Sequence, residues 1–295
     1  MRPLQFGIDA DSLRASTGDP LSPKPTNMTS SDNTPPGLFA WGRYRLPQAE
    51  PLRVHLGFLA IFARREGDEI RLSHQQVTEE GTAPSMPDDP AAWSRWSGSE
   101  SPGEIEIRPA FPDRPLVLRP ENPFNLLPEA RARVFVRVPV WVRVEVPGDR
   151  GGLLMEIPTQ TLSDTWWGTP TEGQGCYWLD ILARRGAASE VFSPDRILCP
   201  LELSNRAREE LPVEKILLRV EHLSIFRGPG SLWSDEVRIH YRGEAEGSHL
   251  EMTGRTPPEA PGATRMAPPR IPMVKGLTAR TFSRLKALPG LGSSL

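Results

Sequence analysis

Cysteine is scarce in this 295-residue chain, which contains Cys176 and Cys199 and no other cysteine. Two thiols are too few for a disulfide framework or a thiolate metal cage, and such scarcity fits a reducing cytoplasm. The sequence also lacks the apolar run of a signal peptide and any stretch near the roughly 18 apolar residues of a membrane span. We therefore expect a soluble, cytoplasmic protein without a transmembrane segment.

An excess of positive charge is missing as well. The 35 Lys and Arg residues face 37 Asp and Glu residues, which gives a formal net charge of -2. Proteins that bind nucleic acid usually carry a basic excess, so we do not expect nucleic acid to be the main partner. The 33 prolines and the hydrophobic share of 38% indicate that part of the chain is linker or disordered tail.

Motifs that identify a chemistry are absent. The sequence has no phosphate-binding Gly-x-x-x-x-Gly-Lys-Ser/Thr loop, no Rossmann glycine fingerprint, no Gly-x-Ser-x-Gly elbow and no His-Glu-x-x-His helix. We therefore predict no catalytic residue and no cofactor, and we expect binding rather than catalysis. Antiparallel pairing would place His222 almost opposite His240, but a zinc site needs a third and usually a fourth ligand, so no metal site is predicted.

The strongest pattern in the sequence is an alternating strand. Every even-numbered position from Val134 to Val146 is valine. Successive side chains of a strand point to opposite faces, so one face forms a valine stripe for a core. The opposite face, called here the Arg/aromatic face, combines guanidinium groups with rings: Arg133, Phe135, Arg137, Trp141 and Arg143.

Shorter runs predict strands on both sides of this one, with hairpin turns at 66–68 and 227–231. The sequence therefore predicts an all-β fold, an antiparallel β-sandwich of two packed β modules. The predicted strands cover residues 38–46, 52–64, 69–77, 104–108, 115–118, 131–146, 153–157, 176–183, 197–203, 215–226 and 237–241.

Composition separates these modules from polar segments. Residues 1–37 are predicted to be a disordered tail, with Met28 as an alternative start to Met1. The first β module is predicted at 38–130 with a disordered insertion at 79–104, and the second at 131–242. A proline-rich linker at 243–272 precedes a predicted amphipathic helix at 273–288.

Three groups of side chains are candidates for binding. The four aromatics Trp166, Trp167, Tyr177 and Trp178 either fill the core or line a carbohydrate, small-ligand or hydrolytic pocket with Asp164, Glu172 or Asp180. The Arg/aromatic face is either solvated, covered by the insertion or a partner, or stacked against single-stranded nucleic acid. Trp93 and Trp96 either pin the insertion to its own domain or anchor a partner.

Several motifs, in order and spacing, resemble the domain of unknown function 432 (DUF432) family, which is uncharacterised and prokaryotic, mostly archaeal. They are Trp41-Gly-Arg-Tyr44, Ala63-Arg-Arg-Glu-Gly-Asp-Glu-Ile70, Trp167-Gly-Thr-Pro-Thr-Glu-Gly-Gln-Gly-Cys-Tyr-Trp178, Leu201-Glu-Leu-Ser-Asn205 and Val213-Glu-Lys-Ile216. The chain departs from the family pattern at Trp141, Arg143 and Cys176.

The resemblance implies no established activity. It suggests occasional genomic proximity to small mechanosensitive channels, and hence a membrane channel as a protein partner. The function expected first is thus a non-enzymatic binding or accessory β-sandwich. The alternatives are carbohydrate or small-ligand binding or hydrolysis at the Trp166–Trp178 segment, and nucleic-acid binding by the Arg/aromatic face.

Overall fold

Strands make up nearly all the regular structure in the part of the chain that the computed structural model describes. These residues are 41–46, 48, 51–77, 85–97, 103–120, 122–148, 151–183, 193–228, 230–244, 246–272, 278–279 and 281–283. Within these ranges there are 23 strands and two three-residue 3-10 turns, Pro90–Ala92 and Val220–His222, and no α-helix. No helix in these ranges has the length and apolarity needed to cross a membrane. The predicted all-β class is confirmed.

The strands are numbered in chain order. Those of the first half are β1 (Gly42–Arg45), β2 (Leu52–Leu56), β3 (Leu59–Glu66), β4 (Glu69–Gln76), β5 (Ser94–Ser97), β6 (Glu104–Ala110), β7 (Leu116–Pro120), β8 (Phe124–Leu126), β9 (Arg131–Pro139) and β10 (Trp141–Glu145). Those of the second half are β11 (Leu153–Pro158), β12 (Ser163–Trp167), β13 (Gln174–Ala183), β14 (Arg196–Asn205), β15 (Leu211–Val213), β16 (Lys215–Leu218), β17 (Ile225–Gly228), β18 (Ser231–Ser234), β19 (Val237–Tyr241), β20 (Ser248–Met252), β21 (Thr264–Ala267), β22 (Thr278–Ala279) and β23 (Phe282–Ser283).

The described strands form five sheets, and most pairs are antiparallel. Three sheets contain strands from both predicted modules: β1-β6-β10-β11, β12-β13-β7-β16-β23 and β15-β8. The others are β2-β3-β4-β5 and β21-β17-β18-β14-β19-β20-β22, in which β9 also pairs with β14. Strand β14 runs parallel to β18 and β19, and β13 runs parallel to β7.

The valine stripe lies in the core as predicted, but it spans two strands in two sheets. The six valines from Val134 to Val144 are at most 2% exposed. Strand β9 ends at Pro139. The N–H of Val140 still donates to the carbonyl of Asp195 (2.9 Å), in register with the β9–β14 pairing, but the carbonyl of Val140 accepts from the N–H of Thr159 (3.0 Å), next to β11. The chain then continues as β10 between β6 and β11.

Part of the predicted insertion is ordered. Strand β5 adds to the edge of β4, and Trp93 is buried against Ala60 and Phe62. The indole N–H of Trp93 donates to the carbonyl of Pro87 (3.1 Å), and the guanidinium of Arg64 lies 4.4 Å from the ring centroid. Over residues 85–97 the segment is therefore pinned to its own sheet, while 79–84 and 98–102 lie outside the described residues.

The segments after residue 226 differ most from the prediction. The hairpin at 227–231 joins β17 to β18, whereas β19, predicted as its second arm, lies between β14 and β20. The predicted linker at 243–272 contains β20 and β21, because these strands pair with the otherwise open edges of β19 and β17. Most of the predicted helix at 273–288 lies outside the described residues. Its described parts, β22 and β23, are paired strand.

Gly57 closes the turn between β2 and β3 under two constraints. Its φ of 56° lies in the left-handed region, and a Cβ placed there would lie 2.4 Å from Oδ2 of the buried Asp195. Gly67, in the turn between β3 and β4, has a φ of 58° but no atom within 4 Å of a Cβ position. An alanine at either position would strain the backbone, but only at Gly57 would it also collide with a neighbouring side chain. Comparing the two substitutions therefore isolates the steric conflict.

We predict that Gly57→Ala lowers the free energy of unfolding by about 2–4 kcal/mol, from left-handed strain plus overpacking. The matched control Gly67→Ala carries the strain alone, about 1 kcal/mol. Urea denaturation of both variants measures the difference. Equal losses would contradict the role given to Asp195.

Candidate functional site

The Arg/aromatic face is covered at Arg133 and Phe135 on β9, whereas Arg137 on the same strand is partly exposed. The guanidinium of Arg133 donates to both carboxylate oxygens of Glu259 (2.7 and 2.9 Å) and to Glu236 (2.5 Å). The hydrogen bond with Glu259 is the largest cause of a raised Arg133 pKa. Phe135 is buried against Trp233 and Ala260. This half of the face therefore forms an interior contact with residues from the predicted linker.

Along β10 the same face carries rows of charge across neighbouring strands. Arg143 stands opposite Arg108 on β6 and opposite Glu156 on β11, and Glu145 stands opposite Glu106. Like charges directly opposite each other destabilise a sheet, so each pair needs partners of the other sign.

Glutamates on the same and adjacent strands provide these partners. Arg143 Nε lies 3.1 Å from Glu145 Oε1 and 3.8 Å from Glu156 Oε2. Arg108 lies 3.0 Å from Glu106, which also lies 3.6 Å from the exposed Arg43. These contacts form one charged network, which also includes Arg270, described next. Its members are four arginines and three glutamates: Arg43, Arg108, Arg143, Arg270, Glu106, Glu145 and Glu156.

Residues 267–271, called here the cover segment, cross this network. Arg270 donates from Nε to the carbonyl of Phe111 (2.7 Å) and forms an ion pair with Glu156. Its guanidinium carbon lies 5.7 Å from the ring centroid of Trp141. The segment is fixed at its far end because the N–H of Ile271 donates to the carbonyl of Glu221 (3.0 Å).

Between the cover segment and the sheet is a cavity of about 200 Å³. We call it the arginine basin. Three guanidinium groups and one carboxylate meet an otherwise apolar wall there. The lining residues are Arg108, Pro109, Ala110, Phe111, Arg143, Glu145, Leu223, Ala267, Pro268, Pro269 and Arg270.

Two buried donors near this cavity have no hydrogen-bond acceptor among the described residues. One is Arg143 Nε, which is close to Glu145 but lacks hydrogen-bond geometry, and the other is the indole N–H of Trp141. Buried donors without acceptors are costly, by about 1–3 kcal/mol each. The basin therefore has more donors than its own carboxylates satisfy.

The Trp166–Trp178 aromatics do not converge on one pocket. Strand alternation places Trp167 and Trp178 on one face of β12 and β13, where they pack with Val117, Cys176 and Leu217. Trp166 and Tyr177 lie on the other face, with Trp166 exposed. The Tyr177 hydroxyl donates to Asp113 (2.9 Å), and burial is the main cause of its pKa of about 12. Asp180 has no described side chain.

The predicted proximity of His222 and His240 is wrong. A 3-10 turn at Val220–His222 takes His222 out of the strand, and His240 instead stands opposite His249 on β20. The two rings are stacked with centroids 6.4 Å apart, and His240 Nδ1 lies 2.6 Å from Ser204 Oγ. Within the described ranges no three His, Cys, Asp or Glu side chains are grouped to hold a metal ion.

Sequence reasoning identified Trp141 and Arg143 but missed their partners. Arg108 could have been identified from the sequence, because the alternation Glu104-Ile-Glu-Ile-Arg108 places it on one face with Glu106. Arg270 could not have been identified, because it follows two prolines in a segment with no periodicity. Its position depends on a contact with Phe111, 159 residues earlier in the chain.

Comparison with known proteins identifies one family. The family model described as Protein of unknown function (DUF432) matches residues 40–286. Neither the curated proteins nor the solved structures contain a match.

Both cysteines are predicted to be unreactive in the folded protein. Each is fully buried, and burial raises the pKa of Cys176 to about 11 and that of Cys199 to about 12. At pH 8 the Cys176 thiolate is about a hundredfold rarer than for a cysteine of pKa 9.0. A chromogenic disulfide reagent should label both thiols in guanidinium chloride and neither under native conditions. Rapid labelling of the native protein would contradict this.

Proposed function

The chain belongs to the DUF432 family, whose description names no activity, and from the arginine basin we propose that it is a binding protein for a small organic anion. The observation that carries the proposal is the meeting of Arg108, Arg143 and Arg270 at one cavity, where the buried N–H donors of Arg143 and Trp141 have no hydrogen-bond acceptor among the described residues. A carboxylate or phosphate group supplies the acceptors that these donors lack, in the forked geometry that guanidinium groups prefer.

The charge balance also favours an anion. Arg43, Arg108, Arg143 and Arg270 face Glu106, Glu145 and Glu156, so the network has one more positive charge than negative charge. The glutamates hold the arginines in place without neutralising them completely. A bound anion would complete the balance.

The shape of the basin suggests the class of ligand. Its volume of about 200 Å³ is below the roughly 300–1,000 Å³ that is typical for drug-sized ligands. Phe111, Leu223 and the two prolines of the cover segment provide an apolar wall. A carboxylate or phosphate ester with a short apolar body fits both properties.

The chemistry of arginine favours binding over catalysis. A guanidinium group stays protonated throughout the physiological pH range, so it supplies charge and hydrogen bonds but does not exchange protons. The carboxylates that could act as acid or base, Glu145 and Glu156, are engaged in ion pairs. These features support a non-enzymatic role.

Two other predicted functions have less support. Nucleic-acid binding would need an open Arg/aromatic face, whereas Arg133 is held by Glu236 and Glu259 and Phe135 is buried. Association with a mechanosensitive channel, and the protein contact it requires, remains a prediction from the family resemblance.

Arg108→Ala tests the proposal, because Arg108 lies at the mouth of the basin with 42% of its side chain exposed, so the fold should tolerate its loss. Calorimetric titration of the intact protein with benzoate, succinate, phenyl phosphate and inorganic phosphate at low chloride should reveal binding. Because a hydrogen bond to a charged group contributes about 1.5–3 kcal/mol, we expect Arg108→Ala to weaken that binding about ten- to a hundredfold.

The matched control is Arg131→Ala, an exposed arginine outside the basin that pairs with Glu202. It should bind the same anions as the unaltered protein does. Binding should also weaken as chloride rises, because salt screens the guanidinium charge. The proposal is wrong if none of the four anions binds, or if Arg108→Ala and Arg131→Ala bind them equally.

A further inference from the structure

Trp166 is an exposed aromatic side chain held in one orientation. It is 54% exposed, although it stands next to the buried Trp167. Its indole N–H donates to the carbonyl of Thr169 (2.9 Å). A Cβ at Gly173 would lie 2.1 Å from the indole nitrogen, so the turn after β12 fits closely against the ring. Binding would therefore cost little side-chain entropy.

The neighbouring strand leaves space beside this ring. Gly175 stands opposite Trp166 in the register of β12 and β13, and a Cβ at Gly175 would meet no atom within 4 Å. Because glycine has no side chain, the indole is not covered from the adjacent strand. The result is a flat apolar plate at the surface, whereas four of the eight tryptophans of the chain are buried.

Polar groups lie next to the plate on the same face of the sheet. Asp164 is two residues before Trp166, with 78% of its side chain exposed, and Arg114 donates to its Oδ1 (3.0 Å). The guanidinium of Arg114 also lies 5.0 Å from the centroid of Tyr177, whose hydroxyl donates to Asp113. The surface thus offers a fixed carboxylate and a fixed guanidinium beside an aromatic ring.

We propose that Trp166, Asp164 and Arg114 form a binding site for neutral carbohydrate. The C–H face of a pyranose ring would pack on the indole, and adjacent hydroxyl groups would donate to Asp164 and accept from Arg114. Two carboxylates, Asp113 and Asp164, surround a single arginine here. This balance disfavours anionic ligands, so the site differs in chemistry from the arginine basin.

The site is smaller than the pocket predicted from the sequence. Trp167 and Trp178 take no part, because they pack on the opposite face with Val117 and Leu217. Tyr177 contributes by positioning Arg114 and Asp113.

The experiment is a titration of the intact protein with neutral hexasaccharides of glucose, mannose, galactose and N-acetylglucosamine. Binding is followed by the indole N–H resonance of Trp166 in proton–nitrogen NMR spectra, assigned by its loss in Trp166→Phe, and the affinities of all variants are measured by isothermal titration calorimetry. We expect at least one hexasaccharide to shift this resonance. Trp166→Ala should weaken its binding about thirtyfold or more, as truncation of an aromatic anchor does.

Further variants separate the parts of the site. Trp166→Tyr should retain most of the affinity because it keeps an aromatic plate, and Asp164→Asn should lower it about tenfold by weakening one charged hydrogen bond. Arg108→Ala, in the basin, should leave carbohydrate binding unchanged. The proposals of anion binding and of carbohydrate binding are therefore tested independently. The proposal is overturned if no hexasaccharide shifts the Trp166 resonance at concentrations up to about 10 mM, or if Trp166→Ala binds as the unaltered protein does.

Discussion

The break in the valine strand at Pro139 is the constraint on which the rest of the structure depends. There Val140 still donates its N–H to Asp195, in register with β14, but its carbonyl accepts from Thr159 beside β11, so the chain leaves one sheet for the other. The alternation continues through the break, so the same stripe of valines is buried in two different sheets. By the same periodicity the arginines of the opposite face are also divided between those sheets.

Dividing the arginines gives the two halves of the face different roles. Leaving a buried guanidinium unpaired costs several kcal/mol, so carboxylates must reach it from elsewhere in the chain. On β9 Glu236 and Glu259 meet this requirement for Arg133, and Phe135 is buried. On β10 the glutamates leave Arg143 Nε unsatisfied and a cavity remains under Arg270. Trp141, next to Arg270, also contacts a third sheet, with its ring centroid 6.0 Å from that of Tyr177 on β13.

Local pattern predicted what depends on neighbours in sequence. The valine stripe, the turn at Gly67 and the all-β class follow from period-two alternation and from glycine's access to positive φ. The ladder that joins β14 to β9, the strands β20 and β21, and the contact of Arg270 with Phe111 link distant segments, and no local signal specifies them. The aromatic segment combines a local and a distant effect. Alternation places Trp166 and Trp167 on opposite faces, but the sequence could not show which face is exposed, because that depends on distant packing.

The most direct measurement of the central claim is a crystal structure of the protein soaked with 4-bromobenzoate, whose bromine can be located by anomalous scattering. It combines a carboxylate with a short apolar body, as the basin requires. The account predicts a bromine peak against Phe111 and Pro268, with the carboxylate bound by at least two of Arg108, Arg143 and Arg270. Crystals that show an empty basin, with the compound bound elsewhere or not at all, would contradict it.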